Sequence, residues 1–164
     1  MLLGEEWHQR AQWPSDQFDE SDVQWVADNL IRVFELYKET RFQLAFDAAG
    51  AAPYVENQRV AIAQMWSGIE AIFGVQQELS YRLGLYLAVL TEDGHVERSA
   101  VQAEVKSLYS KRSKAVHGVE MKDHELRDAA LGSWRLLARA IIALVDLAEP
   151  PPSAARLDRA GLSS

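Results

Sequence analysis

The sequence predicts an all-α protein, an up-down antiparallel bundle of four to five helices. Three observations carry that reading. Apolar residues recur at steps of three and four along most of the 164-residue chain, the period of a helix with one buried face. No stretch shows the strict apolar–polar alternation of a half-buried strand. Gly and Pro fall in short gaps between the periodic runs, and short connections make successive helices antiparallel neighbours.

Composition supports one ordinary globular domain. Hydrophobic residues are 48% of the chain and charged residues 25%, enough apolar mass to bury a core without staples. There is no cysteine, which removes a disulfide framework, a thiolate nucleophile and any cysteine-based zinc site. The net charge of −7 opposes a protein that coats nucleic acid non-specifically. That charge is uneven. Residues 1–22 carry Glu5, Glu6, Asp16, Asp19, Glu20 and Asp22 against Arg10, a net −5. Residues 106–122 carry Lys106, Lys111, Arg112, Lys114 and Lys122 against Glu120, a net +4. No basic region followed by an apolar run opens the chain, and no window approaches eighteen uninterrupted apolar residues. A soluble cytoplasmic protein with no membrane partner is expected.

Taken in order, residues 1–20 read as an acidic N-terminal arm with Trp7, Trp13 and Pro14 and no sustained period. The bundle spans 21–149. Ser21 stands where an N-cap belongs, with Asp22 in the first turn. Val23, Val26, Leu30, Val33, Phe34 and Tyr37 then mark the apolar stripe of a first helix running to about Ala49 and broken by Gly50 to Pro53. A second helix, about Tyr54 to Phe73, carries Ile62, Met65, Trp66, Ile69 and Phe73 and ends at Gly74. The third, about Gln76 to Thr91, is apolar around most of its circumference, which places it centrally or at a subunit contact. The fourth runs from about Val96 to His117. The fifth, about Lys122 to Leu147, shows Leu126, Ala130, Trp134, Leu137, Ile141 and Leu144 on one side. Pro150 to Pro152 stop it, and residues 150–164 read as a disordered tail.

The fourth helix holds the residues that can carry chemistry. Val101, Val105, Leu108, Arg112 and Val116 share one stripe, so a permanent cation stands among apolar positions, where it is costly unless a partner or ligand meets it. His117 follows in the last turn, where free carbonyls attract a cation, and Gly118 is a plausible stop. Five residues along a helix amount to about 7.5 Å of rise and about 140° of rotation, so Arg112 and His117 do not stack on one another. They converge only in a wide groove or across two copies. A planar guanidinium fits phosphate, and histidine is the side chain that exchanges protons near neutral pH. Together they suit cleavage of an RNA phosphodiester without metal, with Lys111 and Lys114 attracting the backbone. The plainer alternative pairs Arg112 with Glu70 and leaves His117 as a helix cap. His95 and His124 stand near acids but lack metal-ligand spacing and read as exposed. Ser110 carries no sign of an activated nucleophile, and no cofactor is expected.

The string from Leu108 through Tyr109, Arg112, Ser113, Val116 and His117 to Gly118 resembles the signature of the HEPN superfamily, particularly its Apea-like branch. Trp66 to Phe73, with Glu70, and Arg82 in the third helix resemble the same branch, so the likeness covers about 56–147. It implies an HEPN-like helical bundle that dimerises, with two Arg–His motifs facing each other in a shared cleft. It also implies a metal-independent endoribonuclease in a bacterial defence or toxin–antitoxin setting. By position, Arg112 and His117 are its catalytic pair. Glu70, Ser113 and Tyr109 are supporting residues, and Lys111, Lys114 and Arg82 contact RNA. One departure stands out: active members often carry Asn, Asp or His directly after the Arg, where this chain has Ser113. The implied partners are a second copy, RNA, and an antitoxin or another defence-system protein. The alternative from another class is a non-catalytic helical dimer that binds RNA, a nucleotide or a protein through the same cleft. A third reading lets the acidic arm, residues 1–22, occupy the basic cleft.

Overall fold

The computed structural model describes residues 19–75, 79–153 and 155–157, and among them the chain is helical with no strand. Six α-helices follow one another: α1 (Glu20–Leu36), α2 (Thr40–Ala51), α3 (Gln58–Phe73), α4 (Leu79–Thr91), α5 (His95–Val116) and α6 (Asp123–Leu147). A 3-10 turn, Ala52–Tyr54, links α2 to α3. Among the described residues, no helix is long and apolar enough to cross a membrane.

The single first helix expected from residue 21 to about 49 is two helices. The chain reverses at Tyr37–Glu39, where Lys38 N–H and Glu39 N–H donate to Glu35 and Leu36 carbonyls. No Gly or Pro marks the break; tertiary packing makes it. Tyr37 folds back to set its ring edge-on to Phe46, 5.8 Å away, and its hydroxyl donates to Asp47 Oδ1 at 2.8 Å. The reversal brings Phe42 and Ala45 into the core, which a straight continuation would carry past it.

The N-cap of α1 is Asp19 rather than Ser21. Asp19 Oδ1 accepts from Asp22 N–H at 2.9 Å and from Ser21 Oγ at 2.6 Å, while Asp22 Oδ2 accepts from Asp19 N–H at 3.1 Å. Ser21 is one position too far inside and serves the cap as a donor. The Ser21 hydroxyl, and then the Asp22 N–H, hold the Asp19 carboxyl below its ordinary value. A depressed carboxyl supports the fold while ionised, and that support is withdrawn as pH falls below about 4. Circular dichroism followed from neutral to acid pH should show an early loss of helix. Asp19→Asn, which keeps the acceptor and cannot titrate, should weaken that acid-side loss; an unchanged titration would assign it elsewhere. Glu125 makes a similar contact on α6, accepting from Lys122 N–H at 2.9 Å, and its carboxyl is lowered for that reason.

The core is built around α3. Ile62, Met65, Trp66, Ile69, Ile72 and Phe73 are fully buried, so the stripe read for this helix holds throughout. Gly68 allows α2 to approach closely, because a Cβ there would meet the Ala48 Cβ at 3.1 Å and the Ala45 Cα at 3.2 Å. Gly74 ends α3 in the left-handed region at φ 62. α3 also packs on α5 and α6, and α4 packs against α5. The apolar α4 buries Leu83, Tyr86, Leu87 and Ala88 and exposes Tyr81.

Two further expectations change. The α1 stripe is not core: Val23, Val26, Leu30 and Phe34 are exposed, and α1 leans on α6 through Trp25, whose indole N–H donates to Asp146 Oδ1 at 3.0 Å. Residues after 149 do not leave the bundle at once. Pro151 is buried, Leu157 is buried in a cleft with Val89, Leu90 and Leu144, and Arg41 donates to the carbonyls of Ile72, Pro151 and Pro152. Leu157 closes an apolar cleft, and Arg41 binds carbonyls that no helix uses. The rest of the expected tail, 158–164, and most of the arm, 1–18, lie outside the described residues.

Candidate active site

The motif helix α5 presents Val101, Val105 and Leu108 to the core, and Arg112 continues that line half-buried. Val116 does not. It is 45% exposed, and Ala115 takes the buried position instead, where Arg59 ties the last turn of α5 to the start of α3. Arg112 Nη2 donates to Glu70 Oε1 at 3.3 Å, joining α5 to α3 by a single hydrogen bond rather than a two-pronged pair. The guanidinium carbon sits 5.5 Å from the centre of the Tyr109 ring. Tyr109 in turn stands edge-on to Trp66 at 5.2 Å, and the Trp66 indole N–H donates to Ser133 Oγ of α6 at 2.9 Å. A chain of contacts thus runs from the core to the guanidinium. Arg112 Nε is buried and donates to no atom among the described residues. A buried donor without an acceptor is costly, so the head is held in place but left with bonding capacity.

His117 is the C-cap of α5 and is exposed. Its N–H donates to Ser113 O at 3.0 Å. Gly118 follows at φ 71, and the N–H groups of Gly118 and Val119 donate back to Ala115 and Lys114. This is a left-handed helix stop of the Schellman type, so the glycine reading holds. No hydrogen bond among the described residues joins His117 to Arg112. The terminal carbonyls expected to attract His117 are taken by another cation. Arg59, in the first turn of α3, donates from Nη1 to Ala115 O at 3.0 Å and to Lys114 O at 3.5 Å, and from Nη2 to Val119 O at 2.9 Å. A fixed guanidinium at a helix C-terminus meets both the unsatisfied carbonyls and the negative end of the dipole.

The other expected residues are placed as follows. Glu70 and Tyr109 join Arg112, as described. Ser113 is half-buried and its carbonyl receives His117; Lys111 is half-buried and Lys114 exposed. Arg82 of α4 donates to the Tyr86 hydroxyl at 3.3 Å, and Tyr86 packs on Phe73 of α3. His95 and His124 are both exposed. Among the described residues, no three His, Asp or Glu side chains gather where they could hold a metal ion.

Beside the motif, a groove of about 770 Å³ runs between α2, α3 and the end of α5. Leu44, Ala48, Val60, Ala63, Ser67 and Val116 line it. Glu70 lies one helical step beyond Ala63 and Ser67 on α3, so the groove points along that helix toward the Arg112–Glu70 pair.

The chain matches no family model, no curated protein and no solved structure. What the site can do rests on its own residues.

Two of those residues carried no sequence signal. Arg59 sits in an otherwise ordinary first turn, and its acceptors lie 55 to 60 positions away. Ser133 looks like any helical serine until Trp66 reaches it. Arg59→Ala should fray the last turn of α5, at a cost of about 1–2 kcal/mol in urea unfolding. Hydrogen exchange at the Val116–Val119 amides should speed up while the α3 core amides stay protected. Unchanged exchange there would mean that the glycine stop alone holds the turn.

Proposed function

We propose that this protein is a metal-independent endoribonuclease of HEPN type, acting as a homodimer whose Arg112 and His117 from two copies form a composite site. The observation that supports it most is Arg112 itself: a guanidinium anchored by one carboxylate oxygen and one aromatic ring, with its side chain still 21% exposed. Such a group is ready for a phosphate, and burial strengthens its effect on charge that develops in the transition state.

In the proposed reaction the ribose 2′-oxygen attacks phosphorus and the 5′-oxygen leaves, giving a 2′,3′-cyclic phosphate and a 5′-hydroxyl. His117 takes the 2′-hydroxyl proton or gives one to the leaving oxygen. Arg112 binds the non-bridging oxygens as their charge grows, and Ser113 offers a hydroxyl beside it. Lys111 and Lys114 hold the backbone, with Arg82 contributing charge from α4. Angle and rise separate Arg112 from His117 within one copy, and in this reading a second copy completes the site. The groove beside Val116, rimmed by the half-exposed Leu44 and Val60, is the surface we assign to that contact. The setting carried by the resemblance is bacterial defence or growth control, with an antitoxin or another defence protein as the natural inhibitor.

A binding module is the second reading, and the Arg112–Glu70 contact favours it, since a paired arginine can hold RNA, a nucleotide or a protein without cutting anything. The deciding experiment incubates the protein in EDTA with total RNA and with tRNA and looks for fragments ending in cyclic phosphate. Cleavage establishes the nuclease; RNA retained uncut establishes the binding module.

A further inference from the structure

The helix with the most strongly sided sequence turns its apolar side away from its own core. At about 100° per residue, Val23, Leu30 and Phe34 of α1 point within about 20° of one direction. Trp25, Asn29 and Leu36 point within about 20° of another, roughly 140° away. The second set faces the protein: Asn29 and Leu36 are buried, the Asn29 amide donates to Trp25 O at 2.9 Å, and Trp25 reaches Asp146. The first set faces solvent. Val23 is 59% exposed, Leu30 47% and Phe34 63%, flanked by Val26 at 48% and Ile31 at 77%. Elsewhere large exposed apolar side chains come one or two to a helix or turn, as with Leu44 and Phe46 on α2 or Ile142 and Leu147 on α6, which is ordinary on a protein surface. Five large side chains on one helix are not ordinary.

We infer that α1 is a self-association surface, pairing antiparallel with α1 of a second copy. The spacing fits that occupant. Val23, Val26, Leu30 and Phe34 fall three and four apart and are all exposed, the pattern of a helix-pairing stripe. A two-fold axis at Leu30 sets Leu30 on its own mate and Val26 against Phe34, so the large ring meets a small side chain. The antiparallel direction follows from charge. It places the acidic first turn of each helix, Glu20 and Asp22, near the Lys38–Glu35 ion pair (2.6 Å) at the end of the other; a parallel pair would set acid on acid. Area is of the right order. The five exposed side chains hold on the order of 500 Å² per copy, and about 1,000 Å² is the most that pairing can remove from them, where specific interfaces begin.

This contact is separate from the one proposed for the active site. α1 rests on α6 near Asp146, whereas the end of the motif helix is tied to Arg59, which shares a pocket with Asp123 at the start of α6. α6 is 25 residues long, about 37 Å at the helical rise, so the two faces lie toward opposite ends of it. Two self-complementary faces on one chain build assemblies larger than a dimer.

The test is the mass of the full chain in solution, by sedimentation at micromolar concentration, for wild type, Leu30→Glu and Phe34→Glu. Both replaced side chains are exposed, so the far-ultraviolet helix signal should stay unchanged, and the second variant stands in if the first misfolds. The expected result is a twofold drop in assembly mass for each. Unchanged mass in the folded variants overturns the inference. A Trp7→Ser, Trp13→Ser double variant addresses the one competitor tethered beside the stripe, the chain's own N-terminal segment. Mass that rises in that variant, with no response to Leu30→Glu in the otherwise native chain, assigns the stripe to that segment and overturns the pairing. Mass that does not respond to the double variant supports it. None of these readings depends on RNA cleavage. If the groove contact fails and α1 pairing holds, wild type is a dimer that Leu30→Glu converts to monomer.

Discussion

His117→Ala is expected to reduce RNA cleavage in EDTA by about 10²–10⁴-fold, the range carried by one positioned acid or base. Arg112→Ala should lose about 10²–10³-fold, as removal of one preorganised charge-stabilising donor does. The two variants should differ in stability. His117 is an exposed cap, so its loss leaves the urea midpoint nearly unchanged. Arg112→Ala strips Glu70 of its cation and Tyr109 of its neighbour and should cost about 1–2 kcal/mol. Arg112→Lys separates charge from geometry: it keeps the cation but loses the planar fork, so activity should remain well below wild type. A mixed sample of His117→Ala and Arg112→Ala subunits tests the composite arrangement directly. Exchange between the two inactive proteins should restore part of the activity, because one of the two sites then draws both residues intact. Folded single variants that cut RNA as fast as wild type would sink the assignment.

Most of the bundle was legible because its helices obey local rules. α3, α5 and α6 begin and end near the positions that periodicity and Gly or Pro indicate, and their stripes are largely buried, with Val116 at the end of α5 the exception. The exceptions share one physical cause: information held by a distant residue. The break at Tyr37 has no local signal, since it depends on Phe46 and Asp47 one helix later. The α1 stripe is apolar as its period indicates, yet most of it lies at the surface; periodicity shows that a face must be covered, not by what. In the site, Arg112, Glu70 and Tyr109 were named from sequence and are found together. Arg59 was not, because its role is set by carbonyls, which every residue has. The tail was misread for a similar reason, as three prolines end a helix but do not stop a later leucine from filling a cleft.

Trp66→Ala should destabilise the protein by about 3–5 kcal/mol, the usual loss for a large aromatic removed from a sealed core. The urea midpoint should fall with little change in slope, since the same surface is exposed on unfolding. The more informative variants take the indole contact apart. Trp66→Phe keeps a ring beside Tyr109 but removes the N–H that meets Ser133 Oγ, leaving that oxygen with only its own bond to the Ala129 carbonyl at 2.7 Å. Ser133→Ala does the reverse and leaves the indole N–H buried and unmet. Each single change should cost about 1–3 kcal/mol, most of it from the orphaned partner. Removing both partners orphans neither, so the double variant should cost clearly less than the two singles added together. A strictly additive result would mean that the bond contributes nothing and packing alone holds the indole. Coupling of the expected sign would show that the polar contact between α3 and α6 fixes the Trp66 plane. Tyr109 stands against that plane and Arg112 lies over Tyr109, so the orientation of the guanidinium would then be set from the centre of the bundle outward.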